Sequence, residues 1–115
     1  MYIYDRAHLL AGDIKASEEY KHFKALKDEL YADETTKALL TQYKKAQFEA
    51  QTTMLSGQQP AAELMEQLQK VGEVLALNPK VTEFFAAEYK FNTIVSDIYK
   101  IIGEACDIDT GLFDA

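Results

Sequence analysis

Residues 77–104 read LNPKVTEFFAAEYKFNTIVSDIYKIIGE, and this stretch decides the fold class. Asn78 has a helix-capping side chain, and Pro79 suits a first helical position because the N–H it lacks would have had no intrahelical partner. Beyond them Val81, Phe84, Phe85, Phe91, Val95, Ile98, Tyr99 and Ile102 recur at helical spacing, with Ile94 and Ile101 widening the stripe. The pattern predicts a helix from Pro79 to about Glu104 with an apolar face wider than the roughly 100° of an ordinary surface helix.

The same punctuation recurs upstream. Residues 2–16 place Ile3, Ala7, Leu10, Ala11 and Ile14 on one helical face. Ser17 then caps a second helix, with Glu18 and Glu19 in the first turn where the helix dipole favours negative charge, and with Phe23, Leu26 and Leu30 as its stripe. Asp33 caps a third helix that carries Leu39, Tyr43, Ala46, Ala50 and Met54 and stops near Ser56, ahead of Gly57. Pro60 is expected in the first turn of a fourth, with Leu64, Leu68, Val71 and Leu75 facing one way. The reading is all-α: about five helices, a short N-terminal pair plus long antiparallel helices. They form a single domain over residues 1–106, followed by an acidic irregular tail over 107–115.

Composition supports this and removes several function classes. The 115 residues are 48% hydrophobic and 27% charged, with only two prolines and five glycines, so the chain is expected to fold and to favour helix. A formal charge of -7 repels phosphate backbones and anionic lipid, which argues against direct nucleic-acid binding. No segment approaches the roughly 20 apolar residues of a membrane span, and no export signal opens the chain. The lone Cys106 rules out an intrachain disulfide and fits a cytoplasmic location.

The third and fifth helices would be about 35 and 39 Å long, more than the roughly 27 Å across a compact domain of this size. Either the remaining helices cover their apolar faces or a second copy does. A homodimer is the expected answer, two-fold dimers being the commonest closed assembly.

Glu88 falls near the centre of the fifth helix's apolar face, with Asn92 one turn on, and Gln47 lies beside Tyr43 on the expected buried side of the third. Charge removed from water must be paired or neutralised, so Gln47 is a candidate partner for Glu88. These polar residues fit a role in helix register or dimer specificity; a groove for a protein partner and a small-molecule or metal pocket at Glu88 are the alternatives. The expected interaction surface is the face around Phe84, Phe85, Glu88, Asn92 and Val95.

Catalytic chemistry has nothing to rest on. Glu19-x-x-His22 and Asp5-x-x-His8 have the spacing of di-iron bundle ligands, but the second pair lies on a polar face and the first at a helix start, so no metal or other cofactor is expected. There is no phosphate-cradling glycine loop, dinucleotide fingerprint or nucleophile elbow. The chain is not expected to be an enzyme.

Taken in order, Ser17-Glu18-Glu19, Ala32-Asp33-Glu34, Tyr43 with Gln47, Leu77-Asn78-Pro79-Lys80-Val81, Phe84 and Ala87-Glu88 resemble the YlbF/YmcA family of small bacterial helical proteins, including its YheA-type members. The resemblance spans nearly the whole chain. It implies a commonly dimeric cytosolic protein related to regulators of competence, sporulation and biofilm formation. It also implies, as an alternative, a heteromeric complex that modulates messenger RNA processing by a membrane-bound endoribonuclease and can carry iron-sulfur clusters through cysteines. With Cys106 alone, this chain departs from the cluster-binding pattern. The expected function is therefore a non-enzymatic adaptor acting through protein contacts.

Overall fold

Five helices follow one another in the computed structural model, which describes residues 1–108: α1 (Tyr2–Ala16), α2 (Glu18–Tyr31), α3 (Glu34–Leu55), α4 (Ala62–Ala76) and α5 (Pro79–Cys106). No strand occurs among the described residues. The boundaries come from local chemistry. Ser17 is extended (φ −67°, ψ 149°), and its hydroxyl both accepts from the Tyr20 N–H (3.2 Å) and donates to the Ile14 carbonyl (2.6 Å), closing α1 and opening α2 with one side chain. Asp33 Oδ2 accepts from the Thr36 N–H (3.0 Å) and hydroxyl (2.6 Å), and the resulting stabilisation of the ionised form lowers its pKa. Asn78 Oδ1 accepts from the Lys80 N–H at 3.0 Å.

Gly57 ends α3 at φ 83°, where the Gln58 N–H reaches back to the Thr53 carbonyl (3.2 Å) and the Gly57 N–H to that of Met54 (3.0 Å). Asp107 does the same for α5 at φ 56°, with the Ile108 N–H on the Gly103 carbonyl at 2.9 Å. Of the acidic tail expected over 107–115, residues 109–115 lie outside the described residues. The fourth helix begins later than the sequence suggests. Pro60 precedes an extended Ala61 (φ −59°, ψ 142°) and α4 starts at Ala62. Proline's fixed φ serves an extended lead-in as readily as a helical first turn, so the residue alone does not locate the start.

The chain divides into two compact units, one of residues 1–25 with the chain from Phe84 onward, the other Leu26–Glu83. In the second unit α3 and α4 pack as a hairpin. Thr36, Leu39, Tyr43, Ala46, Ala50 and Thr53 on α3, and Leu64, Leu68, Val71 and Leu75 on α4, alternate three- and four-residue steps and are all buried or half-buried, the seam of a coiled-coil-like pair. Small residues bring the helices close: a Cβ on Gly72 would sit 3.4 Å from the Tyr43 ring. Leu26, Leu30, Leu40 and Val81 complete this core, and Lys80 pairs with Glu29 at its surface. Leu40, absent from the predicted α3 stripe, is fully buried, whereas Met54, included in it, is exposed.

The first unit is held by rings. Phe84 and Phe91 stand seven residues apart on α5, about 10.5 Å along the axis. Phe23 of α2 fills that gap, nearly parallel to both, at 5.7 Å from Phe84 and 5.5 Å from Phe91. Tyr20 tilts against Phe91 at 5.3 Å. Burying Phe84 completely contributes roughly 1.5–3 kcal/mol, and each such ring pair a further 0.5–1.5 kcal/mol or so.

Candidate interaction surface

Helix α1 contains no buried residue. Its apolar positions Ile3, Ala7, Leu10 and Ile14 run in steps of four, three and four, the spacing of a coiled-coil seam. Only Ile14, beside the Ser17 hinge, is half-buried, while Ile3 is 63% and Leu10 39% exposed. Tyr4 lies next to this seam and is exposed as well. The distal half of α5, in the same unit, repeats the pattern. Phe91, Val95, Ile98 and Ile102 also follow steps of four, three and four; the first three are half-buried and Ile102 is 47% exposed, with Tyr99 and Ile101 exposed beside it. Contiguous exposed apolar faces of this kind mark interaction surfaces, whereas single exposed residues do not.

The residues singled out from sequence distribute unevenly over this geometry. Phe84 is fully buried against Phe23, so it belongs to the internal core and cannot itself meet a partner. Phe85 is half-buried with its ring 5.8 Å from that of Phe84. Glu88 and Val95 are half-buried and Asn92 is exposed. Tyr43 and Gln47 lie in the other unit, and Gln47 is exposed rather than on the buried side of α3. The reason is angular: Gln47 sits about 50° from the midline of Tyr43 and Ala50, at the edge of the stripe that faces α4. No polar or charged residue among those described is fully buried, so polar residues inside the stripes lie at the edges of the packing.

Of the exposed apolar residues of α1, Ile3 and Leu10 lie on the predicted stripe but outside the expected interaction surface, and Tyr4 lies on neither. Their heptad spacing is visible in the sequence. What it does not reveal is that they stay exposed among the described residues.

The remaining surface offers little for chemistry. A hollow of about 580 Å³ beside α4, lined by Tyr43, Ala62, Met65, Glu66, Leu68 and Gln69, is an open groove without the enclosed walls of a small-molecule site. Among the described residues no three His, Cys, Asp or Glu side chains cluster in a way that would hold a metal ion. Cys106 is exposed near the end of α5. No helix among the described residues is long and apolar enough to cross a membrane.

Comparison with known proteins gives a consistent answer. Residues 3–107 match the family model described as control of competence regulator ComK, YlbF/YmcA. The chain is 36% identical over 111 residues to a UPF0342 protein of Caldicellulosiruptor saccharolyticus, covering 96% of this chain and 92% of the relative. It is 36% identical over 107 residues to one of Symbiobacterium thermophilum, covering 93% and 96%. A solved structure, a protein of unknown function (DUF964) from Bacillus stearothermophilus, superposes with a TM-score of 0.72 at 20% identity, over 93% of this chain and 94% of that one. At that identity the likeness speaks for the fold.

Proposed function

The chain belongs to the YlbF/YmcA family, and on that premise we propose that it is a homodimeric regulatory adaptor that works by binding proteins and not by turnover. The family's description supplies the regulatory class, control of the competence regulator ComK. The observation that carries the rest is α1, a fifteen-residue helix with an apolar seam and no buried residue.

A second copy of the chain is the occupant that fits this seam. Ile3 to Ile14 and Phe91 to Ile102 each advance eleven helical steps, about 16 Å, in the same four-three-four rhythm, which reads alike in both directions. Two copies therefore offer each other matched seams, as a two-fold interface requires. Taking about 150–250 Å² for a large side chain, Ile3, Tyr4, Leu10, Tyr99, Ile101 and Ile102 leave on the order of 600 Å² open. A standard interface covers about 800 Å² per partner.

Light scattering on the eluting protein tests the assembly. Wild type should elute at twice the mass of one chain and Leu10→Asp at one chain's mass. A wild type that stays monomeric at every concentration sinks the dimer. Affinity purification from the source cell tests the adaptor role: recovery of a second protein supports it, and recovery of the chain alone counts against it.

A further inference from the structure

We infer that α1 is helical only in the assembled protein, so that its folding is coupled to dimerisation; this rests on the dimer reading above. Forming a first helical turn is unfavourable, and helices of up to about 12–15 residues are marginal in water unless tertiary packing supports them. Helix α1, at fifteen residues, is at that limit, and among the described residues it has no fully buried side chain, only Ile14 near its C-terminus being half-buried. Its sequence adds further cost. Gly12 lies in its interior, and Met1 provides no capping hydrogen bond for the N-terminus. Ser17 is extended, so helical structure does not propagate into α1 from α2.

What α1 does possess is local. The Arg6 guanidinium donates to the Tyr2 hydroxyl and lies 4.5 Å from the centre of that ring, contacts available to a peptide of the same sequence. The missing stabilisation is the covering of Ile3 and Leu10, which a second copy supplies. Dissociation then releases residues 2–13 as an extended, apolar segment, and the seam that recruits the second copy is completed only as it docks. Protein concentration thereby sets whether a partner meets a helical or an unfolded N-terminus.

Hydrogen–deuterium exchange on the full chain tests this, with sedimentation fixing the monomer and dimer fractions in each sample. Two variants are compared with wild type: Leu10→Asp within α1, and Ile102→Asp on α5, which leaves the α1 sequence untouched. In the dimer the amides of residues 5–14 should be protected roughly tenfold or more over the monomer, while those of α3 and α4 change little. Ile102→Asp, once monomeric, should expose α1 as fully as Leu10→Asp does. Equal α1 protection in monomer and dimer overturns the coupling and leaves the dimer intact. Exchange of α1 at the unprotected rate even in the dimer overturns it as well. A chain that sediments as a monomer at all concentrations overturns the dimer reading, and the coupling with it.

Discussion

The α3–α4 hairpin on one side, and α1 and the distal half of α5 on the other, carry the same kind of sequence and end differently. Both present apolar residues in alternating steps of three and four. In the hairpin the steps face each other across Ala46, Ala50 and Gly72, residues small enough to bring the backbones together, and the seam closes within one chain. In α1 and distal α5 the steps are Ile3, Ala7, Leu10 and Ile14, and Phe91, Val95, Ile98 and Ile102; none is fully buried, and Ile3, Leu10 and Ile102 are exposed. Heptad spacing states that a face wants covering; side-chain size and chain connectivity decide whether the same molecule can cover it.

Truncating a leucine in each region tests that contrast most directly. Leu40→Ala, at a fully buried position on α3, should cost about 2–5 kcal/mol of unfolding free energy in urea, the range for a leucine removed from a packed core. A loss below 1 kcal/mol would mean that the hairpin end of the core is looser than its burial indicates.

Gly72 sharpens the comparison from the other side. Its absent Cβ would make ordinary contact with Tyr43 at 3.4 Å, so Gly72→Ala should be neutral or should gain up to about 1 kcal/mol from helix propensity. Gly72→Leu drives a full side chain into that ring and should lose about 1–3 kcal/mol. Thermal melts of the two variants separate close packing from mere helix content. If both variants melted alike, the small-residue seam would lose its explanation.

A smaller effect belongs to Asp33. The Thr36 hydroxyl and then the Thr36 N–H hold its carboxylate in the ionised form and lower its pKa in the folded state. The sign follows: the contribution is complete above the unfolded value of about 3.9 and disappears as the pH falls through the lower folded value. Asp33→Ala should therefore melt slightly below wild type at pH 7, with the gap narrowing below about pH 4. A gap that widened on acidification would contradict the cap.

The smallest change is expected at Leu10. In a monomeric background such as Ile102→Asp, Leu10→Ala should shift stability by no more than about 0.5 kcal/mol, because the residue is already in water there. In wild type above the dimer dissociation constant the same change should weaken assembly. A Leu10→Ala penalty as large as that of Leu40→Ala in the monomer would erase the distinction between the two regions.

Much of this architecture was legible in the residues. Ser17, Asp33 and Asn78 cap the helices that their side chains announced, and Gly57 takes the left-handed conformation that stops α3. These are short-range features, fixed by groups within a few residues of one another. The α2 and α4 stripes, Leu26, Leu30, Val71 and Leu75, are buried as spaced. Gln47, Met54 and Leu40 were misplaced because a periodic face is broad and a neighbouring helix covers only part of it. The candidate surface was half legible: Val95 lies on it, while Phe84, on the same stripe, is sealed against Phe23.

By itself the sequence determined that the chain is helical, where most of its helices begin and end, though not the start of α4, and to which family it belongs, because caps and apolar spacing act locally and leave their record in consecutive residues. Only the tertiary structure decided which apolar faces are spent inside the chain. Phe23 entering between Phe84 and Phe91 closes the proximal half of the α5 face, while among the described residues Ile3, Leu10 and Ile102 stay exposed. That outcome depends on contacts between residues dozens of positions apart, which periodicity within one helix does not encode.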